Sequence, residues 1–207
     1  TANPTPSPTP APATSEPTPS PTLSPPAFVD TNSLKAAVNA CYADRTCASD
    51  GIRDWDVSAV TSMHSVFNLK HNFNEDLSGW DVGSVTTFRY MFYRNYGFNG
   101  DISTWDVSSA RDMYDTFSIA TGFNGDLSGW DVSGVTNMAT MFTEATSFNG
   151  DITSWDVASV TTMDSMFREA NSFNRDLSCW DVSGVINCNC NGEVRMFSGA
   201  LIFDPNS

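Results

Sequence analysis

Two aspartates recur every 25 residues along the chain, and stacked carboxylates are the side chains of this sequence best suited to hold a metal ion. Calcium needs several oxygen ligands, which such columns supply. We favour a structural role, in which each carboxylate accepts backbone N–H bonds in a turn, because no segment has the acidic spacing of an EF-hand loop. The sequence therefore predicts no metal site. The two series are Asp56, Asp81, Asp106, Asp131, Asp156 and Asp181, and Asp76, Asp101, Asp126, Asp151 and Asp176.

Catalytic chemistry has few candidate residues in this sequence. The two histidines, His64 and His71, have no serine or cysteine partner that can be recognised from the sequence. We find no Gly-x-Ser-x-Gly elbow, no phosphate-binding loop and no Gly-x-Gly-x-x-Gly motif. Residues repeated in every unit are structural far more often than catalytic. We predict that the protein is not an enzyme, has no catalytic residue and needs no cofactor.

The five cysteines lie near the two ends of the repeated region. Cys41 and Cys47 bracket a short loop and are predicted to form a disulfide. Cys179 is predicted to pair with either Cys188 or Cys190, which leaves one cysteine over. Zinc is not favoured, because Cys188-Asn-Cys190 lacks a second pair of ligands. Cysteines at frayed ends are typical of a secreted protein.

Tyrosine and arginine are concentrated in one segment, FRYMFYRNYGF, which belongs to the second repeat. These residue types are enriched at interface hot spots, and aromatic rings also stack on sugars. We predict an interaction patch here, with the alternative that the segment is simply an aromatic outer face. Neighbouring repeats add His64, Lys70, His71 and Tyr114. The patch candidates are Arg89, Tyr90, Tyr93, Arg94 and Tyr96.

The elements that must position these residues are repeats of exactly 25 residues. Phenylalanine recurs at two positions of each unit, and the last unit carries a five-residue insertion between Val185 and Met196. An unbroken period requires that every unit meets the same environment. The tryptophans are therefore predicted to form a buried core column: Trp55, Trp80, Trp105, Trp130, Trp155 and Trp180.

Within one unit, Ile152, Trp155 and Val157 predict a short strand. Val160, Met163, Phe167 and Ala170 then follow at spacings of three and four, which predicts a helix of two to three turns. Each unit is thus expected to read strand, turn, helix, turn. Before the repeats, apolar residues at helical spacing between Ser33 and Tyr42 predict a capping helix.

Residues 1–28 form an arm rich in proline, threonine and serine. Proline removes a backbone donor, so an extended polyproline II conformation is expected. Ser/Thr with Pro is the composition of O-glycosylated stalks, although a bare linker is the alternative. The glycosylation candidates are Thr5, Ser7, Thr9, Thr18, Ser20 and Thr22.

Units such as WDVSGVTNMATMFTEATSFNGDIT and WDVASVTTMDSMFREANSFNRDLS resemble the BspA-type leucine-rich-repeat surface proteins, over residues 33–203. The same repeats are known as a domain of unknown function in bacterial surface lipoproteins and in algae. The first, second, third and last units depart most from the pattern. The resemblance implies an α/β repeat fold, a right-handed leucine-rich-repeat-like solenoid of about six coils, displayed on the cell surface without enzyme activity.

The chain is acidic and has few basic residues. The formal net charge is −14, which argues against nucleic-acid partners, and no segment is apolar enough to span a membrane. The expected organisation is an arm (1–28), a helical cap (29–54), five repeats (55–179) and a last repeat with its cap (180–207). We expect a secreted or cell-surface structural protein that builds a fibre, matrix or surface layer by self-association through its O-glycosylated arm. The alternative is an adhesion module that binds glycans or host proteins through repeats one to three.

Overall fold

The computed structural model describes residues 25–186, which contain one α-helix, α1 (Thr31–Asp44), and one short 3-10 helix (Ile52–Asp54). In this part of the chain no extended strand forms. Adjacent repeats are joined instead by isolated parallel bridges, one per repeat. We number the repeats from their tryptophans: repeat 1 is 55–79, repeat 2 is 80–104, repeat 3 is 105–129, repeat 4 is 130–154 and repeat 5 is 155–179.

Helix α1 lies at the start of the repeat stack. The carboxylate of Asp30 caps it by accepting from the backbone N–H groups of Asn32 and Ser33, at 2.7 and 2.9 Å. Leu34 and Val38 are buried within the same core cluster as the repeats. The Thr31 hydroxyl donates to the carbonyl oxygen of Ser62, 2.6 Å away in repeat 1. The helix thus covers apolar residues that would otherwise be exposed at this end.

The predicted α/β leucine-rich-repeat-like solenoid is wrong, because neither the predicted strand nor the predicted helix forms in the described repeats. The segment expected to be helical in repeat 5 contains Ser165 and Glu169 with φ of 55° and 59°. An α-helix requires φ near −63°, so two left-handed residues four positions apart exclude it. The equivalent positions of the other repeats are also left-handed: Ser65 and Leu69, Tyr90 and Arg94, Asp115 and Ile119, and Thr140 and Glu144.

Hydrogen bonding explains why these segments are turns. In repeat 4, the N–H of Thr140 donates to the Asp164 carbonyl of the next repeat at 2.9 Å. The N–H of Met141 donates instead to Met138, three residues earlier in its own repeat. Backbone donors thus alternate between the neighbouring repeat and the local turn. A helix would direct all of them to residue i−4, and the bonds between repeats would be lost.

The core is built from aromatic rings stacked at the repeat period. Phe117 lies 5.6 Å from Phe142 with the rings 4° from parallel, and Phe142 lies 5.6 Å from Phe167 at 7°. The six tryptophans are also buried, with at most 7% of each residue exposed. The indole N–H groups from Trp80 onward donate to carbonyl oxygens 28 residues earlier, as Trp105 does to Leu77 at 3.1 Å.

A column of asparagines adds a further set of bonds between repeats. From Asn74 to Asn149, each side-chain oxygen accepts from the backbone N–H of the asparagine 25 residues later; for Asn99 and Asn124 the distance is 2.8 Å. The sequence shows this period as clearly as that of tryptophan, but the period alone does not predict hydrogen bonds between repeats. The column consists of Asn74, Asn99, Asn124, Asn149 and Asn174.

The last residues of the proline-rich segment belong to the folded body. Ala27 forms a parallel bridge with Asp56, the N–H of Phe28 donates to the Asp56 carbonyl at 2.8 Å, and the Asp56 N–H donates to Pro26 at 3.0 Å. The Phe28 ring is buried, with its centroid 5.1 Å from that of Trp55. Residues 26–28 therefore anchor the arm to repeat 1.

Candidate binding face

The turns between Arg89 and Arg94 place the polar side chains of repeat 2 on the outside. Met91 and Phe92 are fully buried, whereas Arg94 is exposed and Tyr93 is partly exposed. The left-handed backbone at Tyr90 and Arg94 directs the segment away from helical geometry. The sequence FRYMFYR thus divides into an inner apolar set and an outer aromatic and basic set.

We define the basic aromatic face as His64, Arg89, Tyr90, Tyr93, Arg94 and Tyr114, which come from repeats 1 to 3.

Tyr90 is the centre of this face. Its ring makes edge contacts with His64, Tyr93 and Tyr114, at centroid distances of 5.8, 5.7 and 5.3 Å. Such T-shaped pairs are a preferred geometry for aromatic rings. Because the three tyrosines are each only partly buried, the cluster presents ring surface to solvent.

The two arginines of the face lie over aromatic rings. The Arg89 guanidinium is 4.6 Å from the Tyr114 centroid and donates to the Asp112 carboxylate at 3.0 Å. This hydrogen bond to Asp112 raises the pKa of Arg89. Arg94 lies 5.3 Å from the Tyr93 centroid. Cation–π contacts of this kind hold both guanidinium groups near the surface.

The buried carboxylate of Asp115 acts on Tyr114, a residue of the face. Asp115 has 8% of its surface exposed, and burial raises its pKa, while hydrogen bonds from Ser118 and Thr140 oppose that shift. Burial, followed by the charge of Asp115, raises the pKa of Tyr114 to about 12. Tyr114 therefore keeps its phenolic proton at neutral pH.

His64 lies at the edge of the face that is nearest to α1. Burial lowers its pKa, the positive charges of Lys35 and Arg89 lower it further, and Asp112 raises it. The charge of Lys35 in α1 thus acts on His64. Neither Lys35 nor Asp112 was a candidate from the sequence, because each lies in a different segment from the tyrosine cluster.

The structure separates one predicted patch residue from the rest. Tyr96 contacts His71, with centroids 4.7 Å apart and rings nearly perpendicular, and it takes no part in the contacts around Tyr90. The other predicted patch residues, together with the neighbouring His64 and Tyr114, form a face contributed by three repeats.

The two aspartate columns are turn acceptors. Oδ1 of Asp131 accepts from the Ser133 N–H at 3.0 Å, and Oδ1 of Asp126 accepts from the Ser128 N–H at 2.9 Å. Hydrogen bonds from Ser133 lower the pKa of Asp131. Within residues 25–186, no group of three or more acidic, histidine or cysteine side chains is arranged to hold a metal ion.

The remaining candidate residues fall into two groups. Cys41 and Cys47 form a disulfide with Cα atoms 4.7 Å apart, and Cys179 is exposed. Cys188, Cys190 and all six glycosylation candidates lie outside the described residues.

A cleft of about 540 Å³ lies beside the disulfide. Its lining includes Tyr42 and Phe73, together with the polar residues Arg45, Asn72 and Glu75. The cleft is separate from the basic aromatic face, because none of the face residues lines it.

Comparison with known families gives a match over residues 32–135 and 122–207 to the family described as "Mycoplasma protein of unknown function, DUF285". The chain belongs to this family. Membership of the DUF285 family accounts for the repeated region, and the family description assigns no activity. Curated proteins and solved structures gave no match. Among the described residues of this DUF285 protein, no helix has the length and apolar character needed to cross a membrane.

Proposed function

We propose that this DUF285 protein is a non-enzymatic structural protein of the cell surface or extracellular space, of the BspA-like surface type, which assembles through its proline-rich arm. The observation that carries the proposal is the anchoring of residues 26–28, where Phe28 packs on Trp55 and Asp56 bonds to Pro26. The arm is thereby fixed to one end of the repeat stack. The Cys41–Cys47 disulfide suits an oxidising, extracellular location.

Assembly requires a surface on a second copy that receives the arm. The cleft beside the disulfide combines the partly exposed ring of Tyr42 with hydrogen-bonding groups, which is the chemistry of grooves that bind polyproline II segments. An arm fixed at one end of one copy and received by another makes a heterologous contact. Contacts of that type propagate into filaments when the rotation between copies does not close into a ring.

The experiment compares three proteins by electron microscopy at equal concentration: the full chain, a chain lacking residues 1–24, and a chain whose residues 1–24 are replaced by a Gly/Ser tract of equal length. The truncation keeps Pro26 and Phe28, so the body retains its contact with Trp55. We expect filaments only from the full chain. Filaments from the Gly/Ser chain would show that the proline-rich sequence is not the connection.

A second function is favoured by the basic aromatic face: adhesion to a partner through repeats 1 to 3. Three tyrosine rings, two arginines and a histidine meet on one partly exposed surface around Tyr90. Such residues are the ones enriched at binding hot spots. Microspheres coated with the full chain should attach to a mucin layer or a serum-protein layer, and attachment should fall when Tyr93 and Arg94 are both replaced by alanine.

A matched control tests whether the loss comes from the face. Arg175 lies in repeat 5 and donates to the Asn149 carbonyl, so Arg175→Ala removes the same charge far along the stack. Microspheres carrying this variant should attach like the original. Equal attachment by the Tyr93/Arg94 variant would exclude the face as an adhesion surface.

A further inference from the structure

The ligand class of the basic aromatic face can be argued from its charges. The salt bridges of the described residues engage Arg53, Arg89 and Arg168. Arg94 of the face and Lys35 of α1, whose charge acts on His64, therefore have no carboxylate partner in this part of the chain. An unpaired cation on a protein of net charge −14 attracts an anionic ligand locally.

The rest of the described surface repels the same ligand. The two aspartate columns are exposed along the repeats, and hydrogen bonds hold their members Asp101, Asp106 and Asp126 at lowered pKa, so these carboxylates are charged at neutral pH. The aspartate columns thus disfavour contact of an anionic polymer with the described repeat surfaces that carry them.

The number of cations limits the charge density of the ligand. Double-stranded DNA carries one charge about every 1.7 Å, and its binding requires many Lys/Arg contacts. The face itself has only the arginines Arg94 and the already paired Arg89, and α1 adds the charge of Lys35, which acts on His64. A polymer with widely spaced anionic groups matches this supply, and between those groups a sugar ring can stack on the exposed parts of the Tyr90 and Tyr93 rings.

Aromatic rings with this exposure suit sugars. The Tyr90 and Tyr93 rings lie perpendicular to one another, with centroids 5.7 Å apart, and each combines an apolar ring with a polar hydroxyl. Pyranose rings have apolar C–H faces and polar edges, so they complement such side chains. The face also runs across three repeats and is open, which favours an extended ligand over a small one.

We propose that the basic aromatic face binds an acidic polysaccharide, a chain of pyranose rings that carries carboxylate or sulfate groups at intervals. Arg94 and Lys35 pair with the anionic groups, and Tyr90 and Tyr93 stack on the sugar rings between them. This proposal rests on the adhesion function proposed above and specifies its ligand.

The test measures binding of the full chain to immobilised chondroitin sulfate, hyaluronan and dextran. Chondroitin sulfate carries sulfate and carboxylate, hyaluronan carries carboxylate alone, and dextran is neutral. We expect binding to one or both acidic polymers, none to dextran, and weaker binding as salt increases. Arg94→Ala should reduce affinity ~tenfold, the loss expected for one charge-assisted hydrogen bond.

Three variants make the result specific. Arg175→Ala removes a charge outside the face and should bind like the original chain. Arg94→Lys keeps the charge and should recover most of the affinity. Tyr93→Ala should weaken binding equally at low and high salt, because stacking is not screened. Thermal melting of each variant checks that the fold is intact.

The outcomes separate this proposal from the adhesion function. Equal binding to dextran, or binding unchanged by Arg94→Ala, would overturn the acidic-polysaccharide assignment. If the acidic polymers do not bind while coated microspheres still attach through the face, adhesion stands and the ligand is of another class. If neither occurs, both proposals fail.

Discussion

The indole N–H of Trp130 donates a hydrogen bond to the carbonyl oxygen of Ile102, 28 residues earlier in the chain, at 3.1 Å. The same ring stacks on Trp105, with centroids 6.4 Å apart and planes 8° from parallel. One side chain therefore joins two repeats both by packing and by a hydrogen bond.

The two contributions can be separated by two substitutions. Trp130→Phe keeps an aromatic ring but leaves the Ile102 carbonyl without its donor, and we expect a loss of about 2 kcal/mol in unfolding free energy. Trp130→Ala removes the ring as well and should cost about 3–5 kcal/mol. Urea unfolding measures both. Asp131→Asn, an exposed change next in the chain, serves as control and should cost less than about 0.5 kcal/mol. A Phe variant as stable as the original would show that the hydrogen bond contributes nothing.

The left-handed turns predict an unusual preference for glycine. Glu169 has φ of 59° and an exposed side chain. Glu169→Gly and Glu169→Ala both remove its contact with Arg168, but only alanine retains the steric cost of this backbone. We expect the glycine variant to be more stable than the alanine variant by about 1 kcal/mol, measured as unfolding free energy.

A control for this comparison is Glu75, which is not among the residues with positive φ. At Glu75 the order should reverse, with alanine the more stable, because glycine loses more backbone entropy on folding. The same order at both positions would contradict the proposed steric origin.

The buried carboxylate of Asp115 predicts a stabilising substitution. Burial raises the pKa of Asp115, so the folded state favours the protonated form, and ionisation at neutral pH costs stability. Asp115→Asn removes the charge, and asparagine also tolerates the left-handed backbone found here. We expect the variant to be more stable than the original chain at pH 7.

The pH dependence provides the check. The original chain regains stability as the pH falls through the raised pKa of Asp115, so the advantage of the Asn variant should shrink between about pH 7 and pH 4.

Asp131→Asn should have the opposite sign: the variant should be slightly less stable than the original chain at pH 7, and this deficit should disappear on acidification. Hydrogen bonds from Ser133 lower the pKa of Asp131, so its contribution is present above the unfolded pKa and is lost on acidification. The measurement is the unfolding free energy of each variant and of the original chain across this pH range. A constant difference for Asp115→Asn would rule out a role for its ionisation.

The Cys41–Cys47 disulfide closes a short loop at the end of α1. Constraining a loop of this length in the unfolded chain stabilises the fold by about 2 kcal/mol. We expect reducing agent to lower the melting temperature of the original chain by more than that of a variant with both cysteines replaced by alanine. Mass mapping of non-reduced peptides should find the pair linked. Free thiols at both Cys41 and Cys47 in the non-reduced protein would contradict this pairing.

The core was more predictable than the backbone that carries it. The four residues expected on one helix face of repeat 5, Val160, Met163, Phe167 and Ala170, are all buried. Their spacing was therefore a correct sign of burial and a wrong sign of helix. Consecutive turns also return side chains to one side at intervals of three and four, so apolar spacing alone does not distinguish the two conformations.

The candidate face was predictable only in part. Tyrosine and arginine enrichment identified repeat 2, because the residues lie within one short segment. Asp112 and Lys35 come from repeat 3 and α1 and were not candidates, because their proximity to the tyrosines depends on how the repeats stack. The 25-residue period of asparagine is evident in the sequence, but the hydrogen bonds of the column are not. They depend on the distance between stacked repeats, which only the structure shows.

The sequence by itself determined the repeat length, the family and the residues that fill the core, since an exact 25-residue period in Trp and Phe requires equivalent buried positions. The tertiary structure decided the backbone conformation. Each repeat offers carbonyl oxygens to the N–H groups of the one before it, as Thr140 bonds to Asp164, and these bonds replace those of a helix. A local pattern cannot show that exchange, because the competing acceptor lies a full repeat away in sequence and becomes available only when the repeats stack.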